Sequence, residues 1–376
     1  MPPGGPPDVA APQIVAIVPD SGRVGVTPRE VIFRFDEVVN ERPQSVTNLA
    51  DLFLISPKDG TPRVSWNRDE IAVRPRRDWR PNTAYTVTMM GGLSDIRGNV
   101  RNAGASTFFS TGPTVPRTRI TGTVFDWVTG VSAVGALVEA FVPPDSTRAY
   151  VAIGDSSGMF ALEHLPPGRY LVRAVADRNK NRGIDAGEAW DSATVTLADS
   201  SSVELLAFAH DTVPPRIRDV TNVDSLSIRV VFARPVHPTQ QLTAANFAVV
   251  GPDSVAVGIV RVSSAGDTAA RTTPGAAVGA APPARPPVGA RPDTAARPRP
   301  PMSRPRPITD VVLTLARPLT SASTYRVRAI GLRGLLGHTG DSERAYTTPA
   351  ALPPAQPESV APRAPSPPLP APPIRR

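Results

Sequence analysis

One stretch of sequence occurs twice in this chain, at 83–111 and at 323–347, and this repetition constrains the fold more than any other feature. Both copies share an aromatic residue, a valine two positions later and a Gly-Leu pair. In the first copy these are Tyr85, Val87 and Gly92-Leu93, and in the second they are Tyr325, Val327 and Gly331-Leu332. A chain that repeats a segment in this way is built from structural modules rather than from one continuous core.

The repeated stretch has the pattern of two strands joined by a loop. Tyr85, Val87 and Met89 alternate with other residues, so they share one face of a pleated strand. Gly91-Gly92 then supplies residues that tolerate positive φ in a tight connection. Similar short apolar runs precede both copies. The sequence therefore predicts one module of roughly a hundred residues twice, with a different module between the copies.

Composition places the chain in the all-β class. Its 376 residues include 46 prolines and only 5% aromatic residues, and short alternating runs recur along it. These features favour tandem β-sandwiches over helical domains. We find no amphipathic helix longer than two turns, and no apolar run that approaches the roughly 20 residues of a membrane span.

Shifts in composition divide the chain into folded and disordered parts. The predicted plan is a disordered N-terminal linker at 1–11, sandwiches at 12–113, 119–210 and 215–349, a disordered Pro/Ala/Arg-rich insert at 265–306, and a disordered Pro-rich tail at 350–376. The insert replaces the short tip of a hairpin, where added residues disturb no backbone hydrogen bonds. Such segments lack the apolar residues needed to bury a core.

Charge and cysteine content exclude several functional classes. The chain has no cysteine, so it has no disulfide, thiol nucleophile or thiolate metal site. The formal net charge of +8 suggests a nucleic-acid partner, but the insert alone holds seven arginines against two aspartates. The folded modules are near neutral, so we expect no nucleic-acid partner. Weak, salt-sensitive binding of anions by the insert stays open.

Two known folds resemble these modules. The first and third modules, with F-x-F-D-E at 33–37 and Y-x-V through F-x-T at 85–111, resemble the bacterial Ig-like domain of the S-layer SbsA type. The run from Asp155 to Ala174 resembles the carboxypeptidase regulatory-like and CnaB-like domain. These resemblances imply tandem Ig-like and prealbumin-like β-sandwiches that act as spacer or binding modules.

The N-terminal segment bears on cellular location. P-P-G-G-P-P-D followed by A-P-Q-I resembles the linker after the lipidated cysteine of bacterial Ig-like surface lipoproteins. The resemblance implies an exported protein of the cell envelope, in the periplasm or at the outer membrane or cell surface. It would touch the membrane only through an N-terminal lipid anchor that precedes this sequence. The alternative is a flexible cytoplasmic N-terminus.

The sharpest candidate site is a loop of acidic and amide residues at 177–188. A calcium loop has side-chain ligands at positions 1, 3, 5, 9 and 12 and a backbone carbonyl ligand at position 7. The side-chain positions are occupied here by Asp177, Asn179, Asn181, Asp185 and Glu188. Position 7 is Gly183. Ca²⁺ prefers six to eight oxygen ligands. Arg182 departs from the pattern, because position 6 is normally glycine. We predict a structural Ca²⁺ site, and the alternative is a turn that needs no metal.

No catalytic arrangement emerges from the sequence. Residues 154–158 read G-x-S-x-G, but this hydrolase motif requires a helix after the turn, and a strand pattern follows here. The four histidines are scattered. We therefore predict a non-enzymatic structural or adhesive spacer of the cell envelope. Its partner, whether an envelope polymer, a glycan or a protein, is unknown. The alternative is a carbohydrate- or cell-wall-binding module that uses Trp66 or Trp127.

Overall fold

The structure, a computed structural model, describes residues 8–264 and 302–354. Residues 1–7, 265–301 and 355–376 lie outside it, and with them most of the segments predicted to be disordered. The described residues form two compact units, one from 8–211 and 302–306 and the other from 212–264 and 307–354. Strands dominate both units, so the all-β prediction is confirmed.

The first sandwich belongs to the first unit and lies within residues 14–110. Its strands are β1 (Ile14–Val18), β2 (Val31–Phe35), β3 (Phe53–Ser56), β4 (Arg63–Asn67), β5 (Glu70–Arg74), β6 (Ala84–Met89), β7 (Leu93–Ser94), β8 (Val100–Arg101) and β9 (Ala105–Ser110). One sheet has the order β1-β2-β5-β4, the other has the order β3-β6-β9, and β7 pairs with β8. A one-turn 3-10 helix, Leu49–Leu52, precedes β3.

Alternating side chains of these strands build the core of the first sandwich. Phe33 from β2 packs against Phe53 from β3 with ring centroids 5.4 Å apart, which joins the two sheets. Trp79 contacts Tyr85 and Phe109 edge-on, at 4.8 and 5.1 Å. Offset and edge-to-face rings add to the stability gained by burial. The period-two pattern of the repeated stretch therefore marks the inward face of β6, as predicted.

The second sandwich, also in the first unit, has a different topology. Its strands are β10 (Arg119–Asp126), β11 (Leu137–Val142), β12 (Asp145–Ile153), β13 (Met159–Glu163), β14 (Gly168–Val175), β15 (Ala189–Leu197) and β16 (Ser200–Ala209). They are hydrogen-bonded in the order β12-β11-β14-β15-β16-β10-β13. β10 runs parallel to β16 and antiparallel to β13, so the first strand of the module is held on both sides.

The third sandwich forms the second unit and repeats the topology of the first. Its strands are β17 (Ile217–Asn222), β18 (Ser227–Val236), β19 (Phe247–Val250), β20 (Ala256–Val257), β21 (Ile259–Ser264), β22 (Ile308–Leu315), β23 (Thr324–Arg333) and β24 (Thr339–Thr347). The order β17-β18-β22-β21 corresponds to β1-β2-β5-β4, and β19-β23-β24 corresponds to β3-β6-β9. The repeat seen in the sequence is therefore a repeat of structure.

The Pro/Ala/Arg-rich insert falls between two paired strands of the third sandwich. β21 and β22 are antiparallel neighbours, with Val262 opposite Leu313 and Ser264 opposite Val311. Residues 302–306, the end of the predicted insert, are described and belong to the first unit. The domain boundaries drawn from the sequence stay a prediction, since compactness groups the first two sandwiches together. In the described residues, no helix is long and apolar enough to cross a membrane.

Close packing around Gly122 in β10 generates a stability prediction. A Cβ atom at this position would lie 2.0 Å from the carbonyl oxygen of Val203 and 2.8 Å from the ring of Phe160. We expect Gly122→Ala to lower the free energy of unfolding by about 2 kcal/mol, because the strands on both sides must move. Urea denaturation followed by tryptophan fluorescence measures this change.

Gly98→Ala is the matched control for this experiment. Gly98 has φ +94° and no atom within 4 Å of an added Cβ, so only backbone strain of about 1 kcal/mol opposes the substitution. Equal transitions for the Gly122→Ala variant and the unsubstituted chain would contradict the packing described for β10.

Candidate functional site

The predicted metal loop, residues 177–188, connects β14 to β15 at one end of the second sandwich. Ala176 donates its N–H to the carbonyl oxygen of Ala189 at 2.8 Å, which closes the base of the loop. All six predicted ligand residues lie within this one connection. We call it the acidic loop.

Two carboxylates of the acidic loop are engaged by backbone N–H groups. Asp177 accepts hydrogen bonds from the N–H groups of Asn181 and Arg182, at 3.2 and 2.7 Å. Glu188 is buried and accepts from the N–H groups of Arg178 and Asp185, at 2.9 and 3.0 Å. Both side chains thus fix the backbone of the loop through these hydrogen bonds.

The other predicted ligands converge on a single carboxylate. Asn179 and Asn181 donate their side-chain N–H₂ groups to the same oxygen of Asp185, at 2.5 and 2.7 Å. Gly183 donates its N–H to the side-chain oxygen of Asn181 at 2.7 Å. The oxygens of Asp177, Asp185 and Glu188 do not all come within 4.8 Å of one another. The predicted ligands therefore share a loop but form a partial site, and Ca²⁺ binding stays a prediction.

Arg182, the departure from the calcium-loop pattern, has a structural explanation. Its φ of +61° is the left-handed conformation that a glycine at this position would adopt. Its guanidinium donates to the carbonyl oxygens of Phe53 and Asp51, at 2.8 and 2.6 Å. Burial lowers the pKa of Arg182, while the carboxylates of Asp51 and Asp177 oppose that shift. The arginine thus fastens the acidic loop to the first sandwich, a role that the sequence did not predict.

A buried carboxylate lies where the first two sandwiches meet, at a contact that we call the joint. Glu139 of β11 has only 2% of its side chain exposed. One of its oxygens pairs with the ammonium of Lys58 from the first sandwich, and the other pairs with Arg173 of β14 at 2.5 Å. Arg173 also lies over the ring of Phe141, with its central carbon 5.2 Å from the centroid. The carboxylate therefore has one cationic partner within its own sandwich and a second one on the first sandwich.

Backbone and apolar contacts complete the joint beside this charge cluster. Lys58 donates its N–H to the carbonyl of Ala149 at 2.8 Å, and Val151 donates its N–H to the hydroxyl of Ser56 at 2.9 Å. A small apolar cluster of Leu54, Phe141, Ala149 and Val151 is buried next to them. The strand β12, which carries Ala149 and Val151, was not predicted from the sequence, so neither was the joint.

A second group of acids comes together away from the acidic loop. Among the described residues, Asp8, Glu37 and Asp95 have carboxylate oxygens within 4.8 Å of one another. Burial would raise the pKa of Asp95, but hydrogen bonds from Asn99 and from the N–H of Arg97 hold it below the usual value. Burial raises the pKa of Glu37, and the charges of Asp8 and Asp95 raise it further. Asp95 thus acts as a turn-forming side chain with Glu37 held beside it.

The tryptophans do not form an exposed platform for sugar rings. Trp79 and Trp127 are buried, and Trp66 is half-buried. Their indole N–H groups donate to the backbone carbonyls of Pro28, Pro305 and Val39 respectively. Trp190 is covered on one face by His210, with ring centroids 3.7 Å apart. Binding of carbohydrate through Trp66 or Trp127 is therefore not supported by their positions.

The G-x-S-x-G motif lies in a turn between β12 and β13. Ser157, which follows the motif serine Ser156, donates both its N–H and its hydroxyl to the carboxylate of Asp155, at 2.8 and 2.6 Å. Gly158 has φ +75°, and the strand β13 follows directly. His164, the nearest histidine along the chain, stacks on Phe108 and contacts the carbonyl of Pro116. These contacts stabilise a turn, and the absence of enzymatic activity stays a prediction.

The buried charge cluster predicts a large effect of one substitution. Glu139→Gln removes the negative charge shared by Lys58 and Arg173, so we expect the free energy of unfolding to fall by about 3 kcal/mol. Glu70→Gln, which breaks the more exposed pair with Arg34 in the first sandwich, is the control and should cost about 0.5 kcal/mol. Calorimetry of the full chain compares the two variants, and equal losses would contradict the stabilising role of Glu139.

The raised pKa of Glu37 predicts a stabilising substitution whose effect depends on pH. The folded state disfavours the charged form of Glu37, so its pKa is higher in the folded chain than in the unfolded chain. The charge of Glu37 therefore lowers the free energy of unfolding above the folded pKa, and it has no effect below the unfolded pKa. Glu37→Gln should therefore raise the melting temperature at pH 7, and the gain should vanish below about pH 4. A gain that persists at pH 3 would contradict the electrostatic cause.

Comparison with known proteins identifies one part of the chain. Residues 8–111 match the bacterial Ig-like domain family. A search of curated protein sequences gave no match. The affiliation of residues 119–210 with the carboxypeptidase regulatory-like domain stays a prediction.

The solved structures that this chain matches include three bacterial proteins. The N-terminal part of the S-layer protein SbsC is 18% identical with a TM-score of 0.22, over 36% of this chain and 24% of that one. An L,D-transpeptidase from Mycobacterium smegmatis is 17% identical with a TM-score of 0.20, over 52% and 76%. The Bacillus anthracis TIE protein is 11% identical with a TM-score of 0.18, over 94% and 57%. The assignment thus rests on the family match: residues 8–111 are a bacterial Ig-like domain.

Proposed function

We propose that this chain is a non-enzymatic structural protein of the bacterial cell surface, in which the first two sandwiches act as one stiff spacer. The observation that supports this most directly is the joint, where Lys58 of the first sandwich pairs with the buried Glu139 of the second. Neighbouring domains of one chain usually move relative to each other unless the contact between them is extensive. A spacer needs a fixed orientation of its domains, because it must hold a fixed distance under load.

The bacterial Ig-like domain at 8–111 supports placing the protein outside the cytoplasm. The Pro/Gly-rich sequence at 2–7 supports attachment through a lipid anchor that precedes it. In this proposal the anchored end lies at the membrane, and the sandwiches hold a polymer, glycan or protein partner away from it. The adhesive role follows from the same arrangement.

The native N-terminus and its cellular fraction test the location. Mass spectrometry on fractionated source cells should find a lipidated cysteine upstream of Pro2 in the membrane fraction. Protease added to intact cells should remove the sandwiches if they are exposed at the surface. An unmodified Met1 in the soluble cytoplasmic fraction would contradict the proposal.

A structural Ca²⁺ ion in the acidic loop is a second, separate proposal. Two observations favour it: the side chains of Asn179, Asn181 and Asp185 converge on one point, and Arg182 keeps the left-handed backbone of a calcium loop. Rotating the two amides would present their oxygens there instead of their N–H₂ groups. A bound ion would tighten the loop that Arg182 fastens to the first sandwich.

Thermal denaturation with excess Ca²⁺ and with chelator tests this proposal. We expect Ca²⁺ to raise the melting temperature of the unsubstituted chain, because an ion that binds only the folded state stabilises it. Asp185→Ala should abolish the rise, whereas Asp199→Ala, at an exposed position in the next turn, should retain it. Equal melting temperatures of the unsubstituted chain in both conditions would rule out the site.

A further inference from the structure

A groove on the surface of the first sandwich collects an unusual concentration of arginine. It encloses about 630 Å³ and lies where the end of β5 meets the loop before β2. The charged residues that line it are Arg29, Arg63, Arg74, Arg76, Arg77 and Asp78. All five arginines are exposed to solvent. We call this feature the arginine groove.

The guanidinium groups of these five arginines have no partner among the residues that the structure describes. Within the described part of the chain, none of them forms an ion pair or a side-chain hydrogen bond. The nearby carboxylate of Asp59 accepts hydrogen bonds from the backbone N–H groups of Arg76 and Arg77, at 3.2 and 2.8 Å. Asp59 therefore fixes the backbone of this segment without pairing with the arginine side chains.

The placement of two of these arginines has a cost in the isolated protein. Arg63 of β4 and Arg74 of β5 are direct partners across the antiparallel pair. Like charges at directly opposite positions destabilise a sheet. An anion bound between them would remove the repulsion, so the strands present a site that is more stable when it is occupied.

Other segments of this chain are poor candidates to fill the groove. The residues outside the structure at 265–301 and 355–376 hold more arginines than acids, so they would be repelled. An anionic partner of the groove would therefore be a separate molecule.

The shape and chemistry of the groove select among negatively charged partners. Trp79 lines the groove but is only 9% exposed, and its indole N–H donates to the carbonyl oxygen of Pro28. The groove therefore has no exposed aromatic ring that could stack on nucleobases. None of the large exposed hydrophobic residues lines the groove, so it offers no apolar side chain to insert into a bilayer. Arginine binds carboxylate and phosphate groups through paired hydrogen bonds.

From these observations we propose that the arginine groove binds an anionic polysaccharide, through carboxylate or phosphate groups spaced along the polymer. The inference deepens the surface function proposed above by naming the class of its partner and the place where it binds. Binding is measured on the purified chain, independently of where the protein lies in the cell. The chain can therefore fail to bind the polymer and still be a surface protein, or bind the polymer without being one.

Binding of the full chain to polygalacturonate, with dextran as a neutral control, tests the proposal. The triple variant Arg74→Gln, Arg76→Gln, Arg77→Gln should bind polygalacturonate about tenfold more weakly, because each lost ion contact weakens binding. The charge-matched triple variant Arg285→Gln, Arg291→Gln, Arg297→Gln alters the insert instead. It should stay within about twofold of the unsubstituted chain.

Three results would overturn the proposal. Equal losses in the two triple variants would show that net charge alone attracts the polymer. Equal retention on dextran would show that charge is not recognised. Tighter binding to single-stranded poly(dT) than to polygalacturonate would assign the groove to nucleic acid.

A stability measurement separates lost binding from lost folding. Because Arg74→Gln removes the repulsion from Arg63, this variant should melt at a temperature equal to or above that of the unsubstituted chain when no polymer is present. Polygalacturonate should raise the melting temperature of the unsubstituted chain but not of the groove triple variant. A rise of equal size in both would contradict binding at the groove.

Discussion

The burial of Glu139 is the constraint on which the arrangement of the first unit depends. A carboxylate with 2% of its side chain exposed cannot stay charged without compensation, and here the compensation comes from Arg173 on the neighbouring strand and Lys58 on the other sandwich. Separation of the two sandwiches would take Lys58 away from Glu139 and leave the carboxylate with Arg173 alone, which favours a fixed arrangement of the two modules.

The acidic loop combines the spacing of a calcium loop with hydrogen bonds that shape its own backbone. Its acids and amides follow the spacing of a calcium loop, yet Asp177 and Glu188 use their oxygens to accept backbone hydrogen bonds. The residue that breaks the pattern, Arg182, is the one that reaches the first sandwich. The loop thus adds a second fastening to the joint, and an ion bound in it would stiffen a connection that already exists.

Sequence reasoning succeeded where structure follows from local alternation and failed where it depends on contacts between modules. The inward face of β6 and the repeated topology of the outer sandwiches could be predicted, because period-two patterns and turn residues are local. The strand β12 was missed because its first half is polar and follows two prolines. The joint could not be found either, since no local pattern pairs Lys58 with a glutamate 81 residues away. The arginine groove was partly visible as R-P-R-R at 74–77, but only the fold brings Arg29 and Arg63 beside it.

The contacts of Glu139 and Arg182 predict a fixed orientation of the first two sandwiches, which can be tested by measuring a distance between them. The chain has no cysteine, so two introduced cysteines would carry the only spin labels. Ser65 of β4 and Thr194 of β15 are exposed positions, one on each sandwich. Pulsed electron paramagnetic resonance between labels at these positions should give one narrow distance distribution. A broad or multiple distribution would show that the sandwiches move independently and would contradict a fixed orientation.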